Sequence, residues 1–161
     1  MATPVNWGEG APRSQWREDI QIDGIVRRCQ KIDRMKLRLE RLQFVAGYCF
    51  DKGEINYSWQ GNELVKVSDK LINDRETVRC EYYFSAGQLI YAIQEFNPVQ
   101  PSVELRQVKR FYAQEGKPVR QTLNGEIIRL DESFDEILRI AETLHKARNA
   151  RDFNKVYCPL L

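Results

Sequence analysis

At 161 residues, 42% apolar and 30% charged, the chain has the makings of one folded domain, large enough to bury about 70% of the surface that its unfolded form exposes. The apolar runs are only a few residues long, which excludes a membrane-spanning helix, and a net charge of +2 is too small by itself to argue for nucleic acid. Residues 1–8 contain no apolar segment of the signal-peptide kind; this points to the cytoplasm for a complete chain, and to the envelope or exterior for one whose leader has been removed.

Residues 1–15 hold Pro4, Gly8, Gly10 and Pro12 and show no periodicity, so they read as a mobile arm ahead of a single domain over 16–161, with Trp16 starting the core. Ile22, Ile25, Val26, Cys29, Ile32 and Met35 then recur at three- and four-residue steps and predict a helix over 17–36, with Asp19 or Asp23 as an acidic first turn. Between 27 and 41 lie Arg27, Arg28, Lys31, Arg34, Lys36, Arg38 and Arg41 against only Asp33 and Glu40. No aromatic interleaves them to stack on bases, so the run reads as a solvated helix face and a charge-protected edge strand.

A series of short antiparallel strands follows. Leu42, Phe44, Ala46, Tyr48 and Phe50 alternate inward, Asp51-Lys52-Gly53 reads as a turn, and Ile55, Tyr57 and Trp59 return. Gln60-Gly61-Asn62 turns the chain into a strand over 64–67, and the polar residues 68–76 read as a longer connection. The strongest hairpin spans 77–96. With Ala86-Gly87 as its loop, Phe84 faces Leu89, Tyr82 faces Tyr91 and Cys80 faces Ile93, all on one side. Pro98 and Pro101 mark 97–102 as a loop, a strand with a bulge between Leu105 and Val108 covers 103–112, and residues 119–123 return from the turn at Gln114-Glu115-Gly116 to another turn at Asn124-Gly125.

Ser133 and Glu136 suggest a capping box for the last helix, whose stripe is Phe134, Ile137, Leu138, Ala141 and Leu144. The tail 153–161 reads as extended, adding an edge strand or filling a groove. Cys29, Cys49, Cys80 and Cys158 form no Cys-x-x-Cys pair, so they predict no zinc site and four reduced thiols, mostly in the core. The fold expected is α+β: an antiparallel β meander of six to eight strands between an N-terminal and a C-terminal helix.

Three segments share an aromatic strand end, a turn with glycine, a spacer and an apolar residue: Tyr57-Ser58-Trp59-Gln60-Gly61-Asn62-Glu63-Leu64, Tyr82-Tyr83-Phe84-Ser85-Ala86-Gly87-Gln88-Leu89, and, more loosely, Phe111-Tyr112-Ala113-Gln114-Glu115-Gly116-Lys117-Pro118-Val119. The form resembles small bacterial proteins of uncharacterised function whose hairpins read Tyr-Tyr-Phe-x-x-Gly-x-Leu-Ile, many of them secreted or lipid-anchored. It is also similar, at a greater distance, to the MORN-variant repeats of bacterial antitoxin-like proteins. The resemblance covers residues 54–123 and implies a non-catalytic protein; it transfers no active-site residue.

Chemical motifs are sparse. His145, the sole histidine, falls at the edge of the last helix's stripe and reads as structural. There is no nucleophile elbow, phosphate loop or dinucleotide fingerprint, which leaves an enzyme built on scattered Glu and Tyr residues as the remaining catalytic alternative. No cofactor or metal is implied. The reading is a protein-binding module, inhibitor-like, immunity-like or envelope-associated, with a protein partner rather than nucleic acid; the alternative is a small-ligand carrier with an aromatic-lined cavity. The candidate binding face is the outer side of the 77–96 hairpin: Tyr83 and Ile90 as an apolar centre, with Arg79, Glu81 and Gln94 around them.

Overall fold

The computed structural model describes residues 13–45, 49–99, 106–146 and 156–158. Among these residues eight antiparallel strands lie side by side in chain order: β1 (Arg38–Val45), β2 (Lys52–Gln60), β3 (Glu63–Ile72), β4 (Glu76–Ser85), β5 (Gln88–Pro98), β6 (Gln107–Gln114), β7 (Lys117–Leu123) and β8 (Glu126–Ile128). Helix α1 (Arg13–Asp33) precedes the sheet and α2 (Glu132–Lys146) follows it. This is the α+β meander with two flanking helices that the periodicities predict.

Because side chains alternate along a strand, the sheet has two coverable faces. Ile55, Tyr57, Val67, Cys80, Tyr82, Phe84, Ala92 and Phe111 occupy one of them and pack with Phe134, Ile137, Ala141 and Leu144 of α2. Val65, Tyr83 and the half-buried Ile90, Tyr91 and Tyr112 occupy the other and pack with Ile25, Cys29 and Ile32 of α1. Gly53 is placed where the Phe44 ring lies so close to the backbone that any Cβ would collide with it.

The three repeated segments share one backbone device. In each hairpin two residue pairs next to the turn are in simple register, and then the register slips by one. Trp59 pairs with Leu64 but Ser58 with Lys66; Phe84 with Leu89 but Tyr83 with Tyr91; Ala113 with Pro118 but Tyr112 with Arg120. Val65, Ile90 and Val119 are the extra residues. Such a bulge sends two consecutive side chains to one face, and here Val65-Lys66 and Ile90-Tyr91 both go toward α1.

That slip corrects the hairpin register read from the sequence. Phe84 does face Leu89 across Ala86-Gly87, whose positive φ angles of 52° and 79° suit the turn. Beyond it, however, Tyr82 pairs with Ala92 and Cys80 with Gln94. Tyr91 and Ile93 therefore change faces.

Other boundaries also move. Helix α1 starts at Arg13, so residues 13–15 are helix; the rest of the arm expected over 1–15 lies outside the described residues, and Asp19 falls beyond the first turn. Of the turn expected at residues 51–53, Asp51 bends the chain while Lys52 and Gly53 already belong to β2, and the connection expected over 68–76 is mostly strand. Only a short turn separates β3 from β4, held by Asn73 Oδ1, which accepts from the backbone N–H groups of Arg75 and Glu76 at 2.8 Å each. Strand β5 runs on to Pro98. The bulge expected between Leu105 and Val108 lies partly outside the described residues; the one observed on β6–β7 is at Tyr112/Ala113. Asp131, not Ser133, caps α2: its carboxylate accepts from Ser133 N–H at 2.9 Å and from the buried Gln121 amide at 3.0 Å. The Ser133 and Gln121 bonds hold the Asp131 carboxyl below its ordinary pKa.

The cysteine reading needs the largest correction. Cys49 and Cys158 form a disulfide across a sequence separation of 109, while Cys29 and Cys80 are free and buried. Of the tail expected to be extended over 153–161, Val156 and Tyr157 are helical, Arg139 donates to the Val156 carbonyl at 2.8 Å, and Val156 and Cys158 pack in the α2-side core; the rest of the tail lies outside the described residues. Tyr157 stacks with Phe44 and meets Phe50 edge-on, both at 6.2 Å between centroids.

Candidate functional site

The register converts the α1 face into rows that cross the strands. Ser58, Lys66, Tyr83, Tyr91, Tyr112 and Arg120 form the row nearest the bulges. Helix α1 lies along it. Tyr83, Tyr91 and Tyr112 make a ladder of rings with centroids 5.7 and 5.1 Å apart. Both ends of the helix are pinned. Arg120 meets Glu18 at 2.7 Å and also pairs with Asp19. At the other end Asp33 accepts from the Tyr83 hydroxyl at 2.9 Å and from Lys66 Nζ at 3.1 Å. Burial works hardest against the Lys66 ammonium, but its interactions with Glu81, at 2.9 Å, and with Tyr83 together outweigh it and hold its pKa above the ordinary value.

The next two rows are covered by no described element. One is Asn56, Ser68, Glu81 and Ile93; the other is Glu54, Lys70, Arg79 and Glu95. Together they line an open trough of about 420 Å³ across β2–β5. A narrower crevice of about 230 Å³ between α1 and the sheet shares Glu81 and Ile93 with it. On the far side of this floor, Asp69 is buried at 5% exposure and accepts from the Tyr157 hydroxyl at 2.7 Å. Burial raises the Asp69 pKa to about 7, against the opposing hydrogen bond from Tyr157.

The five residues read from the sequence separate. Arg79 and Glu81 line the trough. Tyr83 is only 5% exposed and belongs to the core beneath α1, and the half-buried Ile90 is a bulge residue packed on that same core. Tyr83 and Ile90 are therefore not an exposed apolar patch, because α1 covers them. Gln94 pairs with Cys80 and is on the opposite face, moved there by the slip at Ile90. The reading missed Glu54, Asn56, Ser68, Lys70 and Glu95. The available signal was the alternation of Val67, Asp69 and Leu71 with Ser68 and Lys70, which a buried aspartate disguises.

His145 packs against Phe84 with ring centroids 5.1 Å apart. The basic run follows the end of α1 to the edge strand, where Arg27, Lys31, Arg34, Lys36 and Arg38 are exposed while Asp33 is engaged by Lys66 and Tyr83. Among the described residues no three His, Cys, Asp or Glu side chains are grouped to hold a metal, and no helix is long and apolar enough to cross a membrane. Comparison of the chain with protein-family models, curated proteins and solved structures finds no match.

Proposed function

We propose that the protein is a non-catalytic protein-binding module of an oxidising compartment, and that it takes its partner into the trough on β2–β5. The observation that carries this reading is the trough itself: two rows of a rigid sheet left open beside a helix that is pinned at both ends. Mixed charge around the half-buried Ile93 suits the polar rim and small apolar centre of a transient interface. A hollow on an open sheet favours a macromolecular partner over an enclosed small ligand. The free thiols support a non-catalytic role. Burial, followed by the nearby Asp33 charge, pushes Cys29 up to about 12, and burial raises Cys80 well above its ordinary value, so neither supplies a thiolate nucleophile. The Cys49–Cys158 bond supports the envelope or exterior as the location, in keeping with the secreted and lipid-anchored proteins that the hairpins resemble.

The test is to identify a partner on the immobilised protein and measure binding of the purified pair. Asn56→Trp fills the trough and is expected to weaken binding by at least about tenfold, roughly 1.4 kcal/mol. Asp135→Ala, on the exposed side of α2, is expected to change nothing. A natively folded Asn56→Trp variant that binds as well as the parent contradicts the reading.

A further inference from the structure

Each of the three carboxylates on the trough's open rows already has a cation beside it. Glu54 meets Arg41 Nε at 2.9 Å, Glu81 meets Lys66 Nζ at 2.9 Å, and Glu95 faces Arg106 at 3.7 Å. Lys70 and Arg79 are left over. They are direct register partners on β3 and β4, side by side in the middle of their row. Among the described residues neither is within ion-pair distance of a carboxylate, although Glu54 and Glu95 are their outer register neighbours. Like charges directly opposite one another on neighbouring strands destabilise a sheet; Glu54 opposite Lys70 and Glu95 opposite Arg79 offset part of that cost, and an incoming anion relieves what remains. The hollow continues past them to Thr77, Asn97 and Arg106, which add a hydroxyl, an amide and a guanidinium that already faces Glu95.

We infer that the Lys70–Arg79 pair is an anion seat that receives one carboxylate side chain of the partner protein. The inference rests on the trough being the partner's site, and it names the group recognised there. Arg79 offers the carboxylate two parallel N–H donors from a planar fork, and Lys70 adds a point charge next to it. Glu54 and Glu95 flank the pair in the same row. A singly charged carboxylate meets less repulsion from them than a doubly charged phosphoryl group does, which decides between the two.

The seat is tested on the intact protein by following the Arg79 side-chain Nε–H signal and the backbone amides of residues 69–71 and 78–80 by NMR. Three probes are compared at one ionic strength: a capped Gly-Glu-Gly tripeptide, its Gln counterpart and inorganic phosphate. The Glu peptide is expected to shift these signals saturably and the Gln peptide to leave them in place. In Lys70→Gln and in Arg79→Gln the apparent affinity is expected to fall by about tenfold, the scale of one charge-assisted bond. No saturable shift with the Glu peptide, a stronger response to phosphate than to the peptide, or an unchanged response in both variants each overturns the seat. Failure of the seat and failure of the trough are separable. If Asn56→Trp abolishes partner binding while the peptide gives no shift, the trough stands and the carboxylate seat falls; if the peptide binds and Asn56→Trp has no effect on the partner, the reverse holds.

Discussion

Replacing Tyr83 by Phe removes one oxygen and leaves the ring in its place between Lys66 and Tyr91. What is lost is the 2.9 Å bond from the hydroxyl to Asp33, which ties the end of α1 to β4. A hydrogen bond to a charged group contributes about 1.5–3 kcal/mol. Asp33 keeps Lys66, and its side chain is 48% exposed, so water replaces part of the bond and the cost falls at the lower end, about 1.5 kcal/mol. With a urea m-value of about 2 kcal/mol/M for a chain of this size, the unfolding midpoint should drop by about 0.7 M. Tyr83→Ala also removes the buried ring and should cost about 3–5 kcal/mol in addition. Because Tyr83 lies under α1 and not in the trough, Tyr83→Phe should leave partner affinity unchanged. A midpoint shift below about 0.2 M would refute the pinning of α1 by this bond.

On the other face, Phe84→Ala should cost about 3–5 kcal/mol, because the ring is 1% exposed beneath α2; a midpoint that barely moves would remove Phe84 from the core. Asp69 should make stability depend on pH. Its native pKa of about 7 exceeds the ordinary 3.8, so the native state holds the proton after the unfolded state has lost it. Stability contributed by this group should therefore fall as pH rises from about 4 to about 7 and stay level above that. Asp69→Asn should flatten this dependence in urea melts at pH 4.5 and pH 8, and a slope equal to the parent's assigns it elsewhere. Cys49→Ser opens a loop spanning a separation of 109 and should cost about 4–5 kcal/mol on the chain-entropy model. Dithiothreitol should produce the same loss in the parent, whereas identical melts with and without reductant are inconsistent with the bond.

The meander was legible because runs such as Ile55-Tyr57-Trp59 and Cys80-Tyr82-Phe84 keep a period of two and its turns carry glycine, as at Gly87 and Gly116. The repeat of aromatic, glycine and apolar residues was legible too, but not its meaning. A bulge adds one residue without changing composition, so the slip at Ile90 cannot be seen in a pattern of apolar residues. That single slip exchanged the faces of Tyr91 and Gln94 and took Gln94 out of the site. The trough was hidden for a related reason. Its residues are polar because the face is open, and the buried polar residue Asp69 broke the alternation that would have identified β3. The Cys49–Cys158 pair joins positions separated by 109 in sequence, and no local spacing announces it. Tyr83 was misplaced because nothing in the hairpin records that α1 returns across it.

The most direct test of the binding surface is a photo-reactive residue placed in turn at position 56, in the trough, and at position 135, on the far side of α2, followed by irradiation with the purified partner. Cross-linking from position 56, lost when Arg79→Gln is added and absent from position 135, is the predicted result. Cross-linking from position 135 with none from position 56 would place the partner on the opposite face and contradict the assignment of the trough.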